Sequence, residues 1–151
     1  MITIIAVGKK HDAWVHDGIE LYQTRLRKPY DIEWVFLPHS SFEADRSRQE
    51  ESGRIIGRLK DDSYVILLDE RGKNIDSPSL SRLLEAKLSC SRQIVVIIGG
   101  AYGVDERIHQ RADFIWSLSK LVFPHQLVRL ILAEQLYRAQ EIARGGGYHH
   151  E

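Results

Sequence analysis

The chain has 151 residues, and its 21 Lys and Arg balance 21 Asp and Glu, so the formal net charge is zero. A hydrophobic fraction of 43% in a chain of single-domain length excludes a disordered protein, and no apolar run approaches the ~18 residues that a membrane span needs. Zero net charge also argues mildly against a nucleic-acid partner, because phosphate binding usually leaves a basic surface.

Cysteine usage and the first residues predict where the protein works. Cys90 is the only cysteine, which excludes an internal disulfide and a cysteine-rich zinc site and predicts a reducing, cytoplasmic setting. It follows a predicted helix in a polar loop, and we do not expect it to be catalytic. The apolar stretch 2–7 is too short for a signal peptide and is followed by charged residues, so we expect none.

Short β-rich segments alternate with longer amphipathic segments along the whole chain. The predicted strands are 2–7, 32–37, 64–68, 93–98 and 114–118, and the predicted helices are 11–27, 42–60, 78 to about 88, 105–111 and 126–144. In the first helix Val15, Ile19 and Tyr22 recur at helical spacings. Ser77 is the expected N-cap of the third helix, with Pro78 as its first residue.

This order predicts an α/β domain with a mostly parallel sheet and helices on both faces. The fourth strand is a continuous β-branched run, which is typical of a strand buried on both faces. In such sheets ligands bind beyond the carboxyl ends of the strands. The residues that follow Leu68, Ile98 and Leu118 are therefore the expected location of a site.

The last predicted helix is apolar on more than one side. Val128, Leu132 and Leu136 form one stripe, and Leu127 and Ile131 widen it beyond what a single core-facing stripe requires. A second subunit is the simplest partner for the extra apolar surface. The alternative is a helix buried deeply within the monomer.

Two loops have the composition of a ligand site. Residues 99–103, with three glycines, allow close approach of a ligand to the backbone, or form only a tight strand-to-helix turn. Ala101 breaks the dinucleotide-binding fingerprint, and the sequence has no P-loop motif. Segment 117–126 is unusually apolar for a connection. It either surrounds a ligand with an apolar face, such as an adenine ring, or is only the end of a strand.

Arg129 is a charged residue near the start of the apolar last helix. Buried arginines need partners, so it binds a phosphate or a carboxylate, or forms an internal salt bridge. Glu134 and Arg138 have the spacing of a surface or interface ion pair. The remaining histidines of interest lie in polar contexts and are expected to be exposed: His11, His16, His39 and His109.

The C-terminal residues offer base-binding side chains. Tyr148 and His149 can stack on a base or hydrogen-bond its edge, unless the end of the chain is frayed. His149 and His150 are adjacent and lack further ligands nearby, so we expect no metal site.

Several motifs together resemble one known family. They are Ile97-Ile98-Gly99-Gly100-x-x-Gly103, Trp116-Ser117-Leu118-Ser119, Phe123-Pro124-His125-Gln126-Leu127-Val128-Arg129, Glu134-Gln135-Leu136-Tyr137-Arg138-Ala139 and Tyr148-His149. In order and spacing they look like the ribosomal RNA large subunit methyltransferase H family of the SPOUT superfamily. The likeness extends over nearly the full chain and is most specific in the C-terminal half.

The resemblance implies a single SPOUT-like domain over residues 1–151, with a deep trefoil knot in its C-terminal part. It implies S-adenosyl-L-methionine as the cofactor, held largely by backbone groups. The matching cofactor positions are Leu68, Gly99, Leu118, Ser119, Lys120, Leu121, Val122 and Phe123. It further implies a homodimer, with the target base entering between the subunits. From the residues themselves we expect no membrane and no metal as partners.

The reaction implied by the resemblance is methylation of N3 of a pseudouridine in 23S rRNA, on the assembled ribosome. The N3 proton must leave, so a general base or a water is required. Arg129 is the candidate to hold a phosphate or polarise a base carbonyl. His125, Tyr148 and His149 are candidates for base contact or proton acceptance. The alternatives are another knotted methyltransferase that acts on tRNA, and a non-enzymatic flavodoxin-like nucleotide-binding module.

Overall fold

The computed structural model describes residues 1–90 and 92–150 and has the predicted α/β architecture. In chain order its elements are β1 (Ile2–Val7), α1 (Ala13–Gln23), β2 (Ile32–Leu37), α2 (Ala44–Ile56), β3 (Tyr64–Lys73), α3 (Ser77–Ser89), β4 (Ile94–Ile98), α4 (Glu106–Arg111), β5 (Phe114–Trp116) and α5 (His125–Ala143). The five strands pair in the order β2-β1-β4-β3-β5, and every pairing is parallel. The carboxyl ends of all strands therefore meet at one edge of the sheet.

Helices cover both faces of the sheet, as predicted. Alternate residues of a strand point to opposite faces, so β1 sends Ile4 to one side and Ile5 to the other. The Ile4 side packs on α3 and α5, and the Ile5 side packs on α2 and α4. All five residues of β4 are buried, which explains its continuous apolar sequence. Helix α1 lies on α5, where Val15 and Ile19 contact Ala133.

The third helix begins differently from the prediction. The predicted Ser77 cap is wrong: Asp76 is the N-cap, and its carboxylate accepts a hydrogen bond of 2.8 Å from the Ser79 N–H. Ser77 is the first helical residue, and its hydroxyl donates to Gln135 Oε1 on α5. Both residues precede Pro78 and both are good caps, so the sequence alone does not discriminate between them.

Strand β3 is longer than predicted, and β5 is shorter. The polar residues 69–73 continue β3 beyond Leu68, and Lys73 pairs with Trp116 of β5 after a register shift. Gly72 permits this approach, because a Cβ there would lie 2.6 Å from the Ile115 carbonyl oxygen. Helices α1 and α2 are also shorter than predicted, and α5 is shifted by one residue. The trefoil knot that the family resemblance implies stays a prediction. In the described residues, no helix is long and apolar enough to cross a membrane.

Candidate active site

A pocket of about 830 Å³ lies where the carboxyl ends of β3, β4 and β5 meet. Its volume is in the range of small-molecule sites. Seven of the eight predicted cofactor positions line the pocket: Leu68, Gly99, Leu118, Ser119, Leu121, Val122 and Phe123. Lys120 lies outside this lining and is exposed. The two loops singled out in the sequence therefore form walls of one pocket.

Hydrogen bonds within the loop after β5 fix its shape. The Ser117 hydroxyl donates to the Ser119 carbonyl at 2.9 Å, and the Ser119 hydroxyl accepts from the Leu121 N–H at 3.0 Å. These tight turns direct Leu121 and Val122 outward, where they are 70% and 76% exposed. Two exposed aliphatic side chains at the rim of a pocket provide an apolar surface for a ligand or a second subunit.

The glycine loop after β4 is a close turn. The Gly103 N–H donates to the Gly100 carbonyl at 3.0 Å, and Gly103 has a φ of 75°, which favours glycine. A Cβ on Gly99 would lie 3.0 Å from Val104 Cγ1. A side chain at position 99 would therefore crowd Val104, and Val104 would have to shift to accommodate it.

The wall formed by the end of β3 lies in the region after Leu68 where a site was expected, and it carries charged groups to which no role was assigned from the sequence. Asp69 lines the pocket, pairs with Arg71 at 3.0 Å and lies 3.7 Å from His109 Nε2. The hydrogen bond from the Arg71 side chain holds the pKa of the Asp69 carboxyl below its usual range. The His109 side chain is only 21% exposed, so the expectation that it is exposed was wrong. The sequence signal that could have identified Asp69 was the position of its carboxylate directly after the apolar residues 64–68.

His125 lines the pocket at the first turn of α5. Partial burial lowers the pKa of His125 from its ordinary value, and the neighbouring Arg129 and His39 lower it further, while Glu51 opposes them. The neutral imidazole is therefore favoured at neutral pH. A neutral imidazole can accept a proton.

Arg129 lies one helical turn further along α5 and is only 2% exposed. One terminal nitrogen donates to the Lys9 carbonyl at 2.8 Å, and the guanidinium lies 5.4 Å from the centre of the Phe36 ring. Among residues 1–90 and 92–150 its Nε has no hydrogen-bond partner, and no carboxylate lies within salt-bridge distance. The internal salt bridge considered above is thus not found in the described part of the chain.

The burial of Arg129 also affects its neighbour His11. The His11 ring packs edge-on against Trp34, with ring centres 4.5 Å apart, so the expectation that it is exposed was wrong. Burial, together with the charge of Arg129, lowers the pKa of His11 to about 4. Desolvation likewise lowers the pKa of the Arg129 guanidinium, which nevertheless stays a cation. The carboxylate of Asp12 partly offsets this desolvation from a distance, although in the described residues no carboxylate forms a salt bridge with Arg129.

The C-terminal residues are docked on α5 rather than frayed. The Tyr148 hydroxyl donates to Glu134 Oε1 at 3.1 Å, and Arg138 lies over the Tyr148 ring and contacts His149 Nδ1 at 3.1 Å. Burial and Glu134 raise the pKa of Tyr148 to about 12, so its hydroxyl stays protonated. Within one chain, Tyr148 lies beside residues 134–138, and His149 lines a neighbouring cavity that shares Trp116, Leu118 and Phe123 with the pocket.

Comparison with known proteins identifies the family. The family model described as "Predicted SPOUT methyltransferase" matches residues 1–149. The chain belongs to the SPOUT methyltransferase family. It is 39% identical to the ribosomal RNA large subunit methyltransferase H of Acetivibrio thermocellus over 98% of both chains. It is 38% identical to the protein of the same name from Thioalkalivibrio sulfidiphilus over 99% of both chains.

A third relative carries the same name with the qualifier "putative". It comes from Methanococcus maripaludis and is 37% identical over 98% of both chains. The protein is therefore a methyltransferase, and S-adenosyl-L-methionine is the methyl donor of this SPOUT family.

Within the described residues, no group of three His, Cys, Asp or Glu side chains could hold a metal ion.

The pocket of this SPOUT methyltransferase has the chemistry that such a donor requires. Leu118 and Phe123, with the exposed Leu121 and Val122, supply an apolar surface for an adenine ring. Asp69 supplies a carboxylate suited to an ammonium group. The loops around Ser119 and Gly103 bring the backbone to the pocket wall, although the Leu121 and Gly103 N–H groups donate within the loops themselves. The residues present therefore fit the cofactor.

Proposed function

We propose that this protein methylates N3 of a pseudouridine in 23S rRNA, with the assembled ribosome as its substrate and the cytoplasm as its location. The name shared by its relatives, ribosomal RNA large subunit methyltransferase H, supports an rRNA substrate. The observation that carries the reaction is the pocket at the strand ends, which has an apolar rim and a neutral histidine on its wall.

The proposed cofactor contacts are the predicted ones, refined by their placement. Leu68, Gly99 and residues 118–123 would hold S-adenosyl-L-methionine, with Lys120 taking part through its backbone only. When bound, the cofactor supplies an electrophilic methyl carbon attached to a cationic sulfur. The contribution of the protein is alignment, which can supply much of the catalysis of a displacement reaction.

His125 is the proposed proton acceptor. As N3 forms its bond to the methyl carbon and the methyl–sulfur bond breaks, the N3 proton has to pass to a base. His125 is available in its neutral form at the pocket wall, whereas Tyr148 keeps its proton. We assign Tyr148 and His149 to base contact instead.

Arg129 is the proposed group that polarises a base carbonyl or holds a phosphate. It lies one turn from His125 on the same face of α5, and its charge has no carboxylate partner in the described residues. A buried guanidinium that has only the Lys9 carbonyl and the more distant Asp12 to stabilise it is costly, and an anionic or strongly polar substrate group would offset that cost.

A homodimer completes the proposal. On α1, Trp14 is 58% exposed and Leu21 is 49% exposed. Helix α1 lies directly on α5, whose Leu127 and Ile131 are only partly buried. Exposed apolar side chains on two adjacent helices are typical of a subunit interface. In such a dimer the C-terminal residues of one subunit would act at the pocket of the other.

A methyl-transfer assay with labelled S-adenosyl-L-methionine tests this function. The substrates are protein-free 23S rRNA, separated large subunits, complete ribosomes and total tRNA, with mass mapping of the product. We expect one modified pseudouridine, formed best on complete ribosomes. Methylation of tRNA alone would contradict the proposal, as would a folded protein that fails to bind S-adenosyl-L-methionine in calorimetry.

A further inference from the structure

A second cavity lies at the other end of α5, away from the strand ends that form the methyl-transfer pocket. It has a volume of about 550 Å³. Basic side chains contributed by the α1–β2 connection and by the end of α5 line it: Arg25, Arg27, Lys28 and Arg144. We call these four residues the basic groove.

The carboxylates in the same lining are already engaged. Glu85 accepts a hydrogen bond from the Tyr30 hydroxyl. Glu141 accepts from Gln140 Nε2 at 3.2 Å and more weakly from Arg144 at 3.5 Å. With the residues that the structure describes, the head groups of Arg25 and Lys28 form no hydrogen bond or salt bridge. Both carboxylates keep their negative charge when they accept these hydrogen bonds, but the lining holds four cationic side chains against two carboxylates, so the groove has an excess of positive charge.

Most other surface arginines of the protein are paired within the chain. The pairs are Arg48–Asp45, Arg54–Glu50, Arg71–Asp69, Arg107–Asp105, Arg111–Asp113 and Arg138–Glu134. Pairing of this kind reduces the local field of each cation. A formal net charge of zero is thus compatible with a concentrated positive field at the basic groove.

The groove is too far from the methyl-transfer pocket to bind the same nucleotide. His125 at the start of α5 lines the pocket, and Ala143 at its end lines the groove. These two ends of α5 are about 27 Å apart, and the nearest lining residues on the helix, Val128 of the pocket and Tyr137 of the groove, are about 14 Å apart along its axis. A group bound in the groove therefore belongs to a distant part of a large substrate.

We propose that the basic groove binds backbone phosphates of the ribosomal RNA at a position remote from the methylated base. Arg and Lys are the side chains that bind phosphates, and such contacts set orientation on a nucleic acid without reading its sequence. This proposal rests on the proposed function, since it assumes an RNA substrate.

The test uses the double variant Arg25→Gln/Lys28→Gln, which removes two exposed cations. The matched control is Arg58→Gln/Arg82→Gln, which removes two exposed cations elsewhere. A third protein, Arg25→Lys/Lys28→Arg, keeps the charge. For each we measure binding to large ribosomal subunits as a function of salt, KM and kcat for methyl transfer, and affinity for S-adenosyl-L-methionine.

Each phosphate contact adds about 0.7–0.9 to the slope of log affinity against log salt. Between about 50 and about 200 mM salt, the unaltered protein should therefore lose about seven- to twelvefold more affinity than the double variant. The double variant should have a raised KM, with unchanged kcat and cofactor affinity. The control and the charge-keeping protein should behave like the unaltered one.

The outcomes separate the two proposals. If the unaltered protein methylates rRNA but the double variant has the same KM and salt slope as the control, the groove proposal is wrong and the proposed function stands. If the unaltered protein neither binds nor methylates any rRNA substrate, the proposed function fails first. Arg144→p-benzoylphenylalanine should photocrosslink to RNA, and crosslinks to ribosomal protein alone would overturn the groove as an RNA site.

Discussion

Replacing Arg129 by methionine should separate stability from activity. Methionine is unbranched and adaptable enough to fill the space of the guanidinium stem. The substitution removes the hydrogen bond to the Lys9 carbonyl, for which about 1.5–3 kcal/mol is typical of a charged donor. It also removes the contact with the Phe36 ring, at about 0.5–2 kcal/mol.

Against these losses stands the removal of a buried charge. The guanidinium is 2% exposed and lacks a carboxylate partner in the described residues, and desolvation of such an ion costs several kcal/mol. The terms nearly cancel, so we expect the free energy of unfolding of Arg129→Met to stay within about 2 kcal/mol of the unaltered value. Methyl transfer should nevertheless fall by about 10²–10³-fold, the typical effect of losing one donor to a polarised carbonyl.

Urea unfolding and the methyl-transfer assay measure the two quantities on the same preparations. Leu132→Ala is the matched control, because Leu132 is fully buried on the same helix and its truncation should cost about 2–5 kcal/mol. Arg129→Lys keeps the charge without the planar fork. A loss of more than about 3 kcal/mol in Arg129→Met, with full activity in the folded fraction, would make Arg129 a structural residue and refute the reasoning.

Three further predictions concern His125, the C-terminal residues and His11. Because the pKa of His125 is lowered, the acid limb of the pH profile of kcat should lie below pH 6.5. His125→Gln should remove that limb and reduce kcat by about 10²-fold. An unchanged pH profile in this variant would exclude His125 as the base. Deleting residues 148–151 should spare binding of S-adenosyl-L-methionine, measured by calorimetry, but reduce methylation; full activity would exclude the C-terminal residues from catalysis. The folded-state pKa of His11 is about 4 against 6.5 unfolded, so the unfolded chain binds more protons between these values. Stability should therefore fall as the pH drops from 6.5 to 4, by about 1–2 kcal/mol after allowance for partial exposure, and urea unfolding of His11→Gln should show a smaller fall.

The sequence predicted the sheet well because local patterns determine it. The β-branched run of β4 and the helical spacing of Val15 and Ile19 have direct physical causes in burial. The continuation of β3 through residues 69–73 was missed because those residues are polar and are ordered by pairing with β5. The burial of His11 depends on Trp34, which is distant in the sequence.

The same distinction holds for the site. The ends of the predicted strands and the glycine loop 99–103 predicted the position of the pocket, because a parallel sheet brings the loops that follow its strands to one edge. Asp69 lies in the region after Leu68 where a site was predicted, but no role was assigned to it, because its carboxylate meets His109 and the other pocket residues only in the folded chain. Tyr148 was expected either to bind a base or to be frayed, and its docking on Glu134 and Arg138 is a tertiary contact without a local signature.

Helix α5 gives the protein a fixed internal length scale. It is anchored on the sheet by Leu132 and Leu136 and begins at the pocket and ends at the basic groove, so neither end can move independently of the other. Under the two proposals made above, the helix would set the distance between the reactive base in the pocket and an RNA phosphate in the basic groove. Insertion of one residue into α5 would rotate its distal end by about 100°, and would change this distance without altering any residue of the pocket.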